Sequence, residues 1–131
     1  MMKILHLSDL HVEPVGKLAY ARANTARRMI ELTEWLAHHK DEYDAIAVSG
    51  DLSCDGNIDS YHLIDAIFRS LPKPCFMVPG NHDRDVYRGP KSPSYRPRDL
   101  STWRKVVGYV DTSFVRSNVR FILMNNVRHS D

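Results

Sequence analysis

The sequence has no long apolar run, since no stretch approaches the roughly eighteen residues that a membrane-spanning helix needs. Its amino end, MMKILHLSDLH, carries one lysine and turns polar too early for the apolar segment of a secretory signal peptide. These two absences predict a cytoplasmic protein without a membrane partner.

Cysteine is also scarce, because Cys54 and Cys75 are the only two among 131 residues and cannot build a disulfide framework. Free thiols favour a reducing, intracellular setting. Neither sign of charge is in large excess, since 18 basic and 16 acidic side chains leave a formal net charge of +2. A balance so near zero does not indicate nucleic acid or an anionic membrane as a partner.

The sequence does contain an alternation of short apolar runs with amphipathic segments. Residues 3–7, 44–48 and 75–78 predict strands, and residues 19–40 and 60–71 predict the helices between them. This order predicts an α/β fold with a parallel sheet and right-handed crossovers. The buried stripe of the first helix is expected at Ala26, Met29, Ile30, Thr33, Leu36 and Ala37.

The second part of the chain is less regular. Residues 84–98 contain three prolines and five arginines or lysines without an apolar period, which predicts a long loop of the kind that often carries function. A short helix is expected over 99–107, with Trp103 packed inward, and two strands are expected over 109–115 and 119–125. Residues 1–131 are expected to form one domain.

Each of the first three predicted strands is followed by side chains that can bind metal. They are Asp9 and His11 after the first strand, Asp51 after the second, and Asn81 and His82 after the third. Because ligands of open α/β sheets bind beyond the carboxyl ends of the strands, we expect these side chains to converge. Carboxylate, imidazole and amide donors suit borderline divalent metals such as Mn²⁺, Fe²⁺ and Zn²⁺.

The chemistry that such a site supports is phosphate transfer to water. Two metals about 3.5–4 Å apart, bridged by one carboxylate, can hold a phosphate, acidify a water and stabilise the leaving oxygen. His82 has two open roles, as a metal ligand or as a proton donor to the leaving alkoxide. Asp83 is expected to fix the tautomer of His82 by accepting a hydrogen bond from the ring. Gly50 and Gly80 would permit sharp turns and close backbone approach.

Three segments carry a family resemblance, namely SDLH at 8–11, GDLSCDG at 50–56 and GNHD at 80–83. In this order and spacing they resemble the calcineurin-like metallophosphoesterases, and GDLSCDG followed by Tyr61 looks closest to the cyclic-nucleotide-phosphodiesterase-like branch. The resemblance implies a β-sandwich flanked by helices. Of this fold, the first βαβαβ half is present and the second sheet is incomplete.

The resemblance also implies a role for each strand-end residue. Asp9 and His11 would bind one of two divalent or trivalent metal ions, Asp51 would bridge the two, and Asn81 would bind the second. His82 would stabilise or protonate the leaving group, and the attacking species would be a metal-bound hydroxide. The implied reaction is hydrolysis of small-molecule phosphate mono- or diesters, with nucleotide-type diesters favoured.

The loop that follows the third motif provides the candidate for substrate binding. Arg84 is the best placed of its basic residues to contact the substrate phosphate. The alternative interpretation is a solvated loop without a role in binding.

The sequence departs from the family pattern near its carboxyl end. The family has a further histidine and a Gly–His–x–His element, whereas only His129 follows His82 here. Residues 1–131 are therefore expected to be a truncated, N-terminal portion of the family domain. The missing partner sheet would leave apolar surface exposed, which favours homo-oligomers.

Two other functions stay open at this point. One is an incomplete, catalytically weak or inactive metal-binding or scaffold domain, because the later ligands are absent. The other is a DNA-repair-type nuclease, since such enzymes share the first and third motifs. The near-neutral charge and the stretch LSCDG after Gly50-Asp51 weigh against the nuclease.

Overall fold

The computed structural model describes residues 1–84 and 100–127. Within them the elements follow in the order β1 (Ile4–Leu7), α1 (Thr25–His38), β2 (Ala45–Ser49), α2 (Ile58–Ser70), β3 (Cys75–Val78), α3 (Ser101–Val106), β4 (Thr112–Arg116) and β5 (Val119–Leu123). The strands β1, β2 and β3 form a parallel sheet in that order, and β4 and β5 form an antiparallel pair. The predicted α/β fold with a parallel βαβαβ unit is confirmed.

One face of the parallel sheet lies in the core. Leu5 and Leu7 of β1 are paired with Ile46 and Val48 of β2, so these four side chains share a face. Met77 of β3 continues the same row beside Val48. The two long helices supply buried residues to this core: Met29, Leu36, Tyr61, Ile64 and Phe68. The sheet is therefore held through apolar burial against α1 and α2.

The other face of the sheet is covered in part by the β4–β5 hairpin. Ala47 and Phe76 are paired on this face, and the Phe76 ring contacts the rings of Phe114 and Phe121 with centroid distances of 4.4 and 5.1 Å. The hairpin thus packs at the β3 edge, as the beginning of a second layer.

Apolar side chains remain exposed on both sides of this interface. Ile4 on β1 is 45% exposed, and Ile122 on the outer face of the hairpin is 64% exposed. His6, next to Ile4, is also exposed and contacts the Ser49 hydroxyl at 2.6 Å. In the described part of the chain, the second layer therefore leaves part of the first sheet open.

The first helix is shorter than the sequence predicts. Residues 19–24 form a loop closed by an isolated bridge between Ala19 and Ala23. The helix begins after Asn24, whose side chain accepts a hydrogen bond from the Arg27 amide at 3.0 Å. Hydrophobic spacing does not detect such a cap, because asparagine competes for the backbone amides of the first turn through its own side chain.

The buried stripe of α1 is also narrower than predicted. Ala26, Met29 and Leu36 are buried, whereas Ile30 is 52% exposed and Ala37 is exposed. Ile30 and Ala37 are seven residues apart and lie on one flank of the helix. A three-stranded sheet is narrow and buries only the helix residues that lie directly above its strands. The flank with Ile30 and Ala37 therefore faces solvent.

The shorter elements agree with the predictions at their centres and differ at their ends. The second helix begins at Ile58 because Asn57 caps it by accepting the Asp59 amide at 2.8 Å. Trp103 of α3 is fully buried, as predicted, and its indole N–H donates to the Tyr109 carbonyl at 2.6 Å. Apart from Arg84, the predicted loop at 84–98 lies outside the described residues, and so does His129.

Among residues 1–84 and 100–127, no helix is both long enough and apolar enough to cross a bilayer.

Candidate metal centre

The loops after β1 and β2 continue side by side beyond the sheet. The Asp9 amide donates to the Gly50 carbonyl at 3.2 Å, and the His11 amide donates to the Asp51 carbonyl at 2.9 Å. These hydrogen bonds extend the parallel pairing past the last residue of each strand. They bring the side chains of two separate motifs to the same edge of the sheet.

Three of the predicted ligands have an unfavourable backbone conformation. Asp9, His11 and Asp51 have φ angles of 54°, 44° and 52°, in the left-handed region that non-glycine residues seldom occupy. Each such residue costs on the order of 1–3 kcal/mol, and such residues concentrate at functional sites. The side chains of these three residues lie close together, since His11 Nε2 is 3.9 Å from both Asp9 Oδ1 and Asp51 Oδ2.

The end of β3 adds His82 to this group. Its backbone N–H donates to Asp51 Oδ1 at 2.9 Å. Its ring Nδ1 lies 2.9 Å from the carbonyl oxygen of Cys54, which can only accept. Nδ1 therefore carries a proton that it donates to this carbonyl, which leaves Nε2 as the ring nitrogen available to other partners.

The resulting cluster has the dimensions of a metal site. One ligand atom each of His11, Asp51 and His82 lies within 4.8 Å of the others, and all three residues are partly buried. The sequence predicted His11 and Asp51 as ligands and left His82 open between ligand and proton donor. The structure places His82 with these two residues.

Asn81 and Arg84 lie on a cleft beside the cluster. This open cleft has a volume of about 780 Å³, and its lining includes Asp9, Asp51, Asn81 and Arg84. The polar residues from three strand ends thus face one space, as expected. Asn126 also lines the cleft, although the sequence interpretation did not single it out. The rule for parallel strand ends does not reach it, because the strand before it belongs to the antiparallel pair.

Two glycines allow the ends of β2 and β3 to approach each other. A Cβ atom on Gly80 would lie 2.1 Å from Asp51 Oδ1 and 2.3 Å from the Asp51 backbone nitrogen. Gly50 has a φ of 88°, and a Cβ there would lie 3.0 Å from the Gly80 Cα. The predicted close backbone approach is confirmed at both positions, and so is the left-handed turn at Gly50.

Asp83 does not contact the His82 ring, so the prediction that it fixes the His82 tautomer is wrong. Its side chain is fully buried, and its carboxylate accepts the amides of Leu52, Ser53 and Gly80 at 3.1, 2.9 and 2.8 Å. The Asp83 side chain points inward because these three backbone amides donate hydrogen bonds to its carboxylate. The Cys54 carbonyl has the orienting role instead.

The Tyr61 hydroxyl donates to both the backbone carbonyl and the carboxylate of Asp83, at 2.9 and 3.0 Å. Burial raises the pKa of Asp83, and the hydrogen bonds from the three amides and from Tyr61 lower it in part. This buried group connects α2 with the loops after β2 and β3. Asp83 therefore has a structural role, because its hydrogen bonds hold together the loops that carry the site.

Tyr61→Phe is expected to lower the free energy of unfolding by about 1.5–3 kcal/mol, because the buried carboxylate of Asp83 loses a donor. Urea unfolding measures the change. Tyr43→Phe is the matched control, since its buried hydroxyl donates to the neutral Leu36 carbonyl at 2.7 Å. The control should lose only about 0.5–1.5 kcal/mol. A smaller loss for Tyr61→Phe than for Tyr43→Phe would contradict this role.

Tyr20 is a neighbour of the cluster that the sequence interpretation missed. Its ring centroid lies 5.6 Å from that of His11 and 6.4 Å from that of His82. Its hydroxyl lies 3.4 Å from His11 Nδ1. The spacing of apolar residues over 19–40 predicts a helix at this position. Asn24 is the signal against it, because a strong cap there places residues 19–23 outside the helix.

Comparison with known proteins gives the family. The model of the family described as calcineurin-like phosphoesterase matches residues 2–129. A 3′,5′-cyclic adenosine monophosphate phosphodiesterase of Escherichia coli K12 is 30% identical over 82 residues, which are 63% of this chain and 30% of that protein. A probable glycerophosphodiester phosphodiesterase of Arcobacter nitrofigilis is 28% identical over 82 residues, with the same two shares. The chain thus matches under a third of the length of these relatives.

A solved structure shows the same fold. Purple acid phosphatase PPD1 from yellow lupin seeds has a TM-score of 0.58 and 16% identity, with 94% of this chain and 24% of that chain covered. Its fold is the metallophosphoesterase fold that the sequence motifs imply. Since the family model also covers nearly every residue, this chain belongs to the calcineurin-like phosphoesterase family.

Proposed function

We propose that this chain forms the N-terminal part of a metal-dependent phosphoesterase site that hydrolyses small-molecule phosphodiesters, with nucleotide-type diesters favoured. The observation that carries the proposal is the cluster of His11, Asp51 and His82 at the ends of three parallel strands. The relatives named as cyclic AMP and glycerophosphodiester phosphodiesterases support a diester substrate. Residues 1–131 would then be one portion of a larger catalytic domain.

The donors present fit the metals that the family motifs imply. Imidazole nitrogen from His11 and carboxylate oxygen from Asp9 and Asp51 suit Mn, Fe or Zn. Asp9 and His11 would hold one ion, Asp51 would lie between two, and Asn81 would hold the second. When bound, such a pair of ions neutralises phosphate charge and acidifies a water molecule.

The protein residues around the ions would bind the phosphate and move a proton. Arg84 lines the cleft beside Asp51 and would contact a phosphoryl oxygen of the substrate. His82 keeps Nδ1 on the Cys54 carbonyl, so Nε2 is the atom that would carry a proton to the leaving alkoxide. A ring nitrogen of His82 lies within 4.8 Å of ligand atoms of His11 and Asp51 and could instead bind metal. The proton-donor role is the one we propose.

Hydrolysis of 3′,5′-cyclic AMP with Mn²⁺ tests the function, because this diester has an alkoxide leaving group that requires a proton. His82→Ala should lower kcat by roughly 10²–10⁴-fold, which is the usual contribution of a general acid. His62→Ala is the matched control, because His62 is an exposed histidine of α2 and should keep the activity. Equal activity of the two variants would exclude the role of His82.

A metal-binding or scaffold domain is the second candidate, since residues 83–128 contain no histidine. Mn²⁺ binding without any turnover of the diester would favour this candidate. Turnover of the diester without cleavage of single-stranded DNA would exclude the nuclease. Failure to bind Mn²⁺ at all would contradict both the enzyme and the metal-binding scaffold.

A further inference from the structure

Tyr20 has a backbone conformation that bulky residues rarely adopt. Its φ is 52°, and that of the next residue, Ala21, is 56°. The conformation is closed by two hydrogen bonds between Ala19 and Ala23, from each amide to the other carbonyl, at 2.8 and 3.0 Å. Burial of the ring does not explain it, because Tyr20 is 61% exposed. An unfavourable conformation that exposes an aromatic ring calls for a reason outside the core.

The contact of the Tyr20 side chain supplies that reason. Its hydroxyl lies 3.4 Å from Nδ1 of His11, a long hydrogen bond. The other ring nitrogen of His11, Nε2, lies 3.9 Å from both the Asp9 and the Asp51 carboxylates. The tyrosine therefore faces one nitrogen of the imidazole while the cluster faces the other.

The two histidines of the cluster share this arrangement. Nδ1 of His82 faces the Cys54 carbonyl at 2.9 Å, and Nδ1 of His11 faces the Tyr20 hydroxyl. A histidine that binds metal through one nitrogen usually donates the other N–H to an acceptor, which fixes both the tautomer and the ring orientation. A hydroxyl oxygen can accept such a proton, and that of Tyr20 lies 3.4 Å from His11 Nδ1.

We propose that Tyr20 is a positioning residue for His11. Its hydroxyl oxygen accepts the Nδ1 proton and holds the neutral ring with the Nε2 lone pair between the Asp9 and Asp51 carboxylates, ready for a metal ion. The proposal rests on the proposed function in one respect, because it requires that His11 binds metal. It adds a residue from a loop that none of the three motifs includes.

Isothermal titration with Mn²⁺ tests the hydroxyl, since Tyr20→Phe keeps the ring and removes only the oxygen. We expect the dissociation constant of the tightest site to rise roughly tenfold, the lower end of the effect seen when such supporting partners are removed. The thermal midpoint of the metal-free protein should stay unchanged. Tyr43→Phe should give the opposite pattern, with lower stability and unchanged Mn²⁺ affinity, because its buried hydroxyl donates to the Leu36 carbonyl of α1.

Two further measurements separate positioning from general packing. ¹⁵N NMR of the metal-free protein should show the His11 proton on Nδ1 in the wild type and a larger share on Nε2 in Tyr20→Phe. In a His11→Ala background, Tyr20→Phe should cause no additional loss of affinity.

The outcomes distinguish this proposal from the proposed function. A wild-type chain that binds no Mn²⁺ would overturn the proposed function. Wild-type affinity and an unchanged His11 tautomer in Tyr20→Phe would overturn the role of Tyr20 and leave the proposed function standing. If Tyr20→Ala weakens binding and Tyr20→Phe does not, the ring acts through packing, and the proposal is likewise wrong.

Discussion

Asp51→Ala is expected to abolish Mn²⁺ binding and to reduce diester hydrolysis to the level of the uncatalysed reaction. The carboxylate contacts both histidines of the cluster, because Oδ2 lies 3.9 Å from His11 Nε2 and Oδ1 accepts the His82 amide at 2.9 Å. Removing it takes away a ligand and also frees the loop that carries His82. We expect Mn²⁺ affinity to fall more than roughly a hundredfold, beyond the loss from removing a supporting partner.

Asp55→Ala is the matched control for this variant. Asp55 belongs to the same motif and makes the same change in net charge, but its carboxylate accepts the Asn57 amide at 3.2 Å. Mn²⁺ affinity in this control should stay near that of the wild type. An equal loss of Mn²⁺ affinity in both variants would show that the ion responds to the net negative charge near the site. Asp51 would then not be a specific ligand.

Gly80→Ala is expected to disrupt the site without removing any ligand. The added Cβ would lie 2.3 Å from the Asp51 backbone nitrogen as well as 2.1 Å from its Oδ1, so rotation of the Asp51 side chain cannot relieve the overlap. The ends of β2 and β3 would have to separate. We expect the free energy of unfolding to fall by about 3 kcal/mol, the upper part of the range for overpacking. Mn²⁺ binding should be lost.

Urea unfolding and Mn²⁺ titration measure both effects of Gly80→Ala. Gly16→Ala serves as control, since a Cβ at Gly16 meets nothing within 4 Å although its φ is 91°. The control should lose only about 1–2 kcal/mol from the left-handed backbone and should bind Mn²⁺ normally. The close approach at Gly80 would be refuted if both variants had the same stability and the same affinity.

The convergence of the strand-end residues could be predicted from the sequence because topology determines it. Three apolar runs separated by helices make a parallel sheet, and the carboxyl ends of its strands meet at one edge. Asp9, Asp51 and Asn81 therefore reach one cleft whatever the details of their loops. The same reasoning does not extend to Asn126, because it follows β5 of the antiparallel pair.

Features that depend on loop conformation could not be predicted in the same way. The inward direction of Asp83 follows from the placement of three amides by the loops after β2 and β3, and periodicity does not report backbone φ angles. Tyr20 was missed because its segment resembles a helix in composition. Only the left-handed conformation at Tyr20 and Ala21 brings its hydroxyl to His11.

We infer that the ends of β1, β2 and β3 form one metal centre. Anomalous diffraction from crystals soaked in Mn²⁺ tests it most directly, because the signal locates the ion independently of activity. The predicted result is a peak within bonding distance of His11 Nε2 and an Asp51 carboxylate oxygen, absent in Asp51→Ala crystals. A fully soaked crystal with no peak at these residues, or with Mn²⁺ only elsewhere, would contradict the account.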